Sequence, residues 1–261
     1  MKLEVLLSVM SFDIKNFDRM NIDCPCTVVD QCNKEGKKKY KNFNIYYSKE
    51  RGAARSRNMA LNLSSLDILL LADDDLIYNK GFSKKIIEEF ENNPKADVIV
   101  FNVNNPYRKK RIIKKRKRLH IYNSLNFASY NIAFRRKSVK DIRFNTLFGA
   151  GSSKYNCGGE DSLFITQCLK NKLKIYSSPI YIGSISGDDS TWFKGYDEKF
   201  LFNKGALLTA INPRFRHLLI LQALIRHKEM HKDIKFFTAY KIMLRGSKDY
   251  LKCIKENVWE I

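Results

Sequence analysis

Ile68-Leu69-Leu70-Leu71-Ala72-Asp73-Asp74-Asp75 is the stretch on which the reading of this chain turns. Five apolar residues with no charge read as a strand buried on both faces, the pattern of a parallel sheet covered by helices. The run then stops at three consecutive carboxylates. In an open α/β sheet the carboxyl ends of the strands are where ligands bind. Three acids there repel one another unless something positive joins them, and a divalent cation bridging to a diphosphate would do so. A solvated acidic turn is the competing reading.

Outward from that strand, residues 3–10, 27–29, 44–47 and 97–103 form similar short apolar runs. Residues 52–63 place Ala53, Ala54, Arg57, Ala60 and Leu61 at helical spacing, and residues 82–92 do the same with Ile86, Ile87 and Phe90 against a charged opposite face. Strand and helix in alternation predict a mixed, mostly parallel α/β sheet flanked by helices. Residues 127–134, 174–177 and 180–182 read as further short strands. A Gly/Ser loop over 148–155 leads to a helix over 160–169. From Phe200 the pattern is helical to the end, with Pro213 as a break. The expected organisation is one α/β domain over 1–200, in two parts (1–104 and 120–200) separated by the basic run, followed by a basic helical extension over 201–261.

The chain of 261 residues carries 48 Lys+Arg against 27 Asp+Glu, a net charge of +21, which excludes an acidic solvating protein. With 44% hydrophobic residues, 12 Gly and 5 Pro it has apolar mass for a core and too little punctuation for a disordered chain. Six cysteines at 24, 26, 32, 157, 168 and 253 show no metal-binding spacing, so a reduced, cytosolic setting is expected. The opening residues have too short an apolar run for a secretory signal, and 218–225 is less than half a membrane span. Nine of the twelve residues over 107–118 are Lys or Arg, which reads as an exposed arm.

Four motifs stand in one order. Leu3-Glu4-Val5-Leu6-Leu7-Ser8-Val9-Met10 and Thr27-Val28-Val29-Asp30 are two opening strands. Glu50-Arg51-Gly52-Ala53-Ala54-Arg55-Ser56-Arg57-Asn58-Met59-Ala60 precedes the acidic strand, and Gly158-Gly159-Glu160-Asp161 follows it. Together with Asp73-Asp74-Asp75 they resemble family-2 glycosyltransferases of the GT-A fold over about residues 3 to 200. The segments 155–161 and 190–196 resemble members that build bacterial capsule or other surface glycans.

The resemblance implies an inverting, metal-dependent transfer from a nucleotide-diphosphate sugar, a UDP-sugar, to a lipid-linked or oligosaccharide acceptor of a surface glycan. It implies Asp74 and Asp75 as ligands of Mn2+ or Mg2+, with Asp73 beside them on the nucleotide. Asp30 would meet the uracil N–H, with Ser8 and Met10 lining the same pocket. Arg57 and Asn58 would contact the nucleotide; for Arg57 an ion pair with the acidic triplet is the alternative. Asp161 would be the catalytic base and Glu160 would accept from acceptor hydroxyls or pin the loop. As ordinary first-turn acids of a helix, Glu160 and Asp161 would need no such role. The third metal ligand, a His in many relatives, has no counterpart over 185–190, where Asp188 or Asp189 could serve. Trp192 and Phe193 would stack on an acceptor sugar or belong to the core.

The positive charge fits an anionic membrane surface, reached by the basic helices after Phe200, through Leu218, Leu219, Leu221, Leu224, Ile225, Phe236, Phe237 and Met243; packing of these residues against the catalytic domain, a dimer interface, or a basic loop that only keeps the protein soluble are the alternatives. The expected place is the cytoplasmic side of the cell membrane. Specific nucleic-acid recognition is not expected, because no recognised nucleic-acid module accompanies the basic residues. A nucleic-acid-binding protein using the basic arm, and a metal-dependent nucleotidyl or phosphoryl transferase, remain the alternatives.

Overall fold

The structure is a computed structural model; it describes residues 1–11, 13–107, 112–121, 123–125, 127–152, 154–187 and 195–256. In chain order the elements are β1 (Leu3–Val9), α1 (Lys15–Arg19), β2 (Cys26–Gln31), β3 (Gly36–Tyr40), β4 (Phe43–Ser48), α2 (Ala53–Leu63), β5 (Ile68–Ala72), β6 (Leu76–Tyr78), α3 (Phe82–Glu91), β7 (Val98–Asn104), β8 (Lys117–Leu119), β9 (Ile132–Arg135), α4 (Glu160–Lys170), β10 (Ile175–Ile185), α5 (Glu198–Ile211), α6 (Arg216–Arg226) and α7 (Phe236–Lys255). One sheet runs β3-β4-β2-β1-β5-β9-β7-β10-β6, with β8 beside β10.

The block β4-β2-β1-β5 is parallel. Its strands β2, β1 and β5 are buried almost throughout, because helices cover both faces, and apolar residues dominate them for that reason. Core residues divide accordingly between the two sides of the sheet: Val5, Leu7, Val28 and Leu70 on one, Leu6, Val29, Leu69 and Leu71 on the other. β9 enters antiparallel between β5 and β7, which makes the sheet mixed.

Two strand readings are corrected. Residues 127–134 are not one strand: a 3-10 turn over Ser129–Asn131 precedes β9. Residues 174–177 and 180–182 belong to one strand, β10, whose register against β7 shifts after Ser177 and again after Tyr181. Pro179 lies in the shifted stretch, where it has no N–H to give the ladder, and its carbonyl accepts from Asn102 Nδ2 at 3.0 Å. β3, Gly-Lys-Lys-Lys-Tyr, is an edge strand paired only to β4, a place where lysines discourage further pairing.

The end of the basic run is also laid on the sheet rather than held away from it. Asn102 clamps the main chain of Ile113, donating to its carbonyl at 3.0 Å and accepting from its N–H at 2.9 Å. Ile113 and Leu119 are buried, Arg116 pairs with the buried carboxylate of Glu89, and β8 closes on β10. Residues 108–111 lie outside the described residues.

The C-terminal helices share the core instead of trailing behind it. Ala206, Leu207, Ala210 and Ile211 of α5 and Tyr250 of α7 form one cluster with Phe148, Tyr155, Cys157 and Leu163. α5 begins at Glu198, just before the expected boundary, with Asp197 capping it by accepting from the Phe200 N–H at 2.6 Å. α5 and α7 cross at two glycines. A Cβ on Gly205 would fall 1.9 Å from the Met243 carbonyl oxygen, and one on Gly246 would fall 1.9 Å from that of Phe202. Among the described residues no helix is long and apolar enough to cross a membrane.

Candidate active site

Strand register brings the first candidates together. Ser8 lies beside Val29 and Val9 beside Asp30, while Leu7 lies beside Ala72, so Ser8, Asp30 and Asp73 meet at the carboxyl ends of three adjacent parallel strands. Ser8 Oγ donates to Ser56 Oγ at 2.6 Å, joining β1 to α2. Gln31 is buried behind them; its Oε1 accepts from the Gly52 N–H at 2.7 Å and its Nε2 donates to the Val9 carbonyl at 3.4 Å. Gly52 has φ of 119°, a conformation that strongly favours glycine, a Cβ on it would fall 3.4 Å from the Gly151 carbonyl oxygen, and the next N–H, of Ala53, donates to the Ala150 carbonyl at 2.9 Å. Met10 is 66% exposed just past β1, at the rim.

The centre of the site is Arg57, on the buried face of α2. Its Nη2 donates to Asp73 Oδ1 at 3.1 Å and to Ser129 Oγ at 2.9 Å. Its Nη1 donates to Glu160 Oε1 at 2.7 Å and to Asp161 Oδ1 at 3.1 Å. Ser129 closes the ring: its N–H donates to Asp161 Oδ2 at 3.0 Å and its hydroxyl to Asp73 Oδ2 at 3.2 Å. One guanidinium and one serine therefore hold the acid at the end of β5 and the acids opening α4 in a single network. The expected ion pair between Arg57 and the triplet is present, and it extends to Glu160 and Asp161.

Three carboxylates around one guanidinium leave an excess of negative charge in a place with little water. Asp161, whose side chain is 17% exposed, is pushed up from 3.8 to about 7 by burial and by Glu160 and Asp73, against the opposing pull of Arg57 and the Ser129 N–H. Burial works against the charge on Arg57, but Asp161, Asp73 and Glu160 outweigh it and raise its pKa. Glu160 Oε2 is buried and has no hydrogen-bond partner among the described residues, and Gly149 leaves room for that carboxylate: a Cβ there would fall 3.1 Å from Glu160 Oε2.

Asp74 is exposed at the turn after β5, and its carboxyl is raised by partial enclosure and by the charge of Asp73. The main-chain carbonyl of Asp75 accepts from the N–H and the hydroxyl of Ser186, both at 2.8 Å, which ties this turn to the end of β10. Among the described residues no three His, Cys, Asp or Glu side chains converge on a metal position. Asp74 and Asp75 nevertheless offer hard oxygens beside a like charge that a cation would relieve, and such a pair suits Mg2+ or Mn2+ completed by diphosphate and water.

Asn58 corrects the expectation of a nucleotide contact. Its Nδ2 donates to the Phe144 carbonyl at 2.9 Å and its Oδ1 accepts from the Phe144 N–H at 2.7 Å, so the amide is engaged as a clamp on the chain between β9 and α4. Trp192, Phe193, Asp188 and Asp189 lie outside the described residues. Sequence reasoning missed Ser129 and Gln31. Gln31 directly follows Asp30 and could have been found by extending the strand one residue; Ser129 has no signal of its own.

Behind Asp161, α5 sets the loop. Gly159 has φ of 91°, and a Cβ there would fall 2.4 Å from Leu207 Cδ2. Tyr155 donates its hydroxyl to Asp249 of α7 at 2.6 Å, and Lys154 pairs with the same carboxylate at 3.2 Å.

Residues 28–151 match the family model described as glycosyl transferase family 2. Among solved structures, the fold is similar to that of S. aureus TarS 1–349 in complex with UDP-GlcNAc, with a TM-score of 0.63 at 17% identity, covering 87% of this chain and 72% of that one. It is also similar to the mannosyltransferase PcManGT from Pyrobaculum calidifontis in complex with GDP-Man and Mn2+, with a TM-score of 0.51 at 14% identity over 93% and 73% of the two chains. A comparison with curated proteins finds none that matches.

Proposed function

We propose, from the match of residues 28–151 to the glycosyl transferase family 2 model, that this chain is a member of that family and transfers a sugar, with inversion, from a UDP-sugar to a lipid-linked or oligosaccharide acceptor of a surface glycan. The observation that carries the proposal is the Arg57 network, in which the acid at the end of β5 and the acid opening α4 bond to the same guanidinium. A donor gripped at the first and an acceptor deprotonated at the second would then be within reach of each other.

In this reading Asp161 takes the proton of the acceptor hydroxyl as that oxygen attacks the anomeric carbon. The bond from that carbon to the diphosphate oxygen breaks on the opposite face, and UDP leaves with the electron pair. A single displacement inverts the anomeric centre. A base with a pKa of about 7 is matched to this task near neutral pH. Glu160 and Arg57 orient Asp161, and Ser129 fixes it through its N–H. Asp30 and Ser8, at the neighbouring strand ends, would receive the base and ribose, with Met10 at the rim and Asp73 beside the diphosphate. Asp74 and Asp75 would hold Mn2+ or Mg2+, whose chemistry is to neutralise the charge gathering on the departing diphosphate. Trp192 is proposed for the acceptor side.

A panel of UDP, GDP, CDP and dTDP sugars, with and without Mn2+, tests this by thermal shift. Only a true donor raises the melting temperature by mass action, and UDP-sugars with Mn2+ are expected to do so. Stabilisation by another nucleotide would overturn the donor assignment. Transfer of the nucleotide itself to a sugar phosphate, in place of UDP release, would overturn the reaction class.

A further inference from the structure

The helical layer farthest along the chain has an apolar face that the core does not use. α6 is apolar on two sides. Ile220 and Leu224 are buried inward, while Leu218 and Ile225 are each 62% exposed and Phe215, just before the helix, is 52% exposed. At 100° per residue, Phe215, Leu218, Gln222 and Ile225 fall on one stripe opposite Ile220 and Leu224. The start of α7 adds Phe237, 76% exposed. It belongs to the same end of the pair: the His231 ring bonds the Leu224 carbonyl at 3.1 Å, packs on Phe236 at 5.6 Å, and Phe236 packs on Phe237 at 5.7 Å.

This differs from the pattern read in the sequence. Leu224 and Met243 are buried in the helical core, and Leu219, Leu221 and Phe236 are half-buried, so they leave the outward set. What remains is small and runs along α6, and residues 214–241, which carry it, expose six cations, Arg214, Arg226, Lys228, Lys232, Lys235 and Lys241, against two exposed acids, Glu229 and Asp233. From 199 to 255 the sequence has 13 Lys/Arg and three Asp/Glu, and from 199 to 228 no acid at all.

We propose that this face, formed by Phe215, Leu218, Ile225 and Phe237 with the cations of the same segment, docks the protein on an anionic phospholipid bilayer. The proposal is independent of the donor and of the reaction. Exposed apolar side chains in one stripe with Lys and Arg beside them are what an interfacial helix presents: the apolar groups enter the headgroup boundary and the cations meet lipid phosphates. Charge decides the occupant. A second copy of the chain would bring an identical basic segment against the first, each copy carrying +21, so the complementary partner is an anionic surface. A phosphate backbone alone would satisfy the cations but leave Leu218, Ile225 and Phe237 in water. α6 spans 11 residues, too short to cross a bilayer, so it lies along the surface.

The test is sedimentation of the full chain with vesicles of phosphatidylcholine containing about 30% phosphatidylglycerol, an anionic fraction chosen to give a cytoplasmic-leaflet-like potential. The wild type is expected to pellet with these vesicles and not with pure phosphatidylcholine, and to be partly released as salt screens the cations. The triple variant Leu218→Gln, Ile225→Gln, Phe237→Gln changes only exposed side chains, so its melting temperature and its activity on a soluble acceptor stay at wild-type values. Its lipid partition coefficient is expected to fall by about tenfold or more, because the inserted apolar area is gone. A second variant, Arg226→Gln with Lys228→Gln and Lys232→Gln, is expected to bind more weakly than wild type at low salt and to converge with it as salt rises and screens the remaining cations. Pelleting of the triple variant equal to wild type would overturn the proposal. So would a wild type that ignores anionic vesicles, forms a dimer that the triple variant abolishes, or loses oligonucleotide binding through the same apolar changes.

Discussion

Replacing Asp161 by Asn is expected to abolish turnover while making the protein more stable above neutral pH. In the fold this carboxyl titrates near 7 instead of 3.8. At about 1.4 kcal/mol per tenfold change in proton affinity, keeping it ionised costs roughly 4 kcal/mol. The sign follows from linkage. Between about pH 4 and 7 the folded chain holds a proton that the unfolded chain has released, so this group's contribution is fully present below pH 4 and is lost as pH rises through 7. Asn carries no charge and escapes that loss. It cannot accept from both the Ser129 N–H and Arg57 as the carboxylate does, which costs on the order of 1 kcal/mol. A net gain of about 3 kcal/mol at pH 8.5 corresponds to a melting temperature higher by roughly 6–10 °C in a chain of this size. At pH 5 only about 1.6 kcal/mol of that loss has accrued, since the unfolded carboxyl is ionised there while the folded one still holds its proton, and the altered hydrogen bonding of Asn offsets most of it, so the two proteins should melt within ~1–2 °C of each other. Scanning fluorimetry from pH 5 to 8.5, beside a UDP-release assay expected to fall by about 10²–10⁴, reads both effects. A variant less stable than wild type at pH 8.5, or a difference that does not grow with pH, would refute the account of the site.

Arg57→Ala should be the most damaging change in the site, because it strands Asp73, Glu160 and Asp161 without their counter-charge; circular-dichroism melts should show a loss of about 3–5 kcal/mol. Asn58→Ala removes two hydrogen bonds to the Phe144 backbone and should cost about 2 kcal/mol of stability by denaturant titration, with the KM for the donor unchanged. Gly246→Ala forces a methyl group against the Phe202 carbonyl and should lower stability by about 1–3 kcal/mol or more, read as a shifted urea midpoint. Asp74→Asn should raise the Mn2+ concentration needed for half-maximal activity by about tenfold or more, with the melting temperature of the metal-free protein unchanged or slightly higher, since its carboxyl is already raised by partial burial and by Asp73.

The parallel half of the sheet was legible because its strands are buried on both faces, and apolar runs such as Ile68–Ala72, or Leu3–Val9 broken only by Glu4 and Ser8, have few other readings. Elements that depend on a neighbour were not. β3 is a strand only because β4 supplies a partner, and β8 lies in a run of cations whose place on the sheet is decided by Asn102 and Glu89 from elsewhere in the chain. In the site, the acids announced themselves by clustering, and Arg57 by its nearness to them. Ser129 could not be read, since what makes it part of the site is a 3-10 turn that aims both its N–H and its hydroxyl at acids 32 and 56 residues away. Asn58 was misread for the opposite reason: its position beside Arg57 suggested a shared role, but one residue further along a helix points about 100° away.

Leu207 occupies the space where any side chain at residue 159 would have to go, and it belongs to a helix locked to α7 by two glycines. The last quarter of the chain is thus the rear wall of the loop that carries Asp161, and removing it would leave Phe148, Tyr155 and Leu163 facing solvent. An expression fragment ending near residue 200 should therefore be insoluble as well as inactive, and chimeras between relatives should exchange the Gly158-Gly159-Glu160-Asp161 loop and the three terminal helices as one cassette.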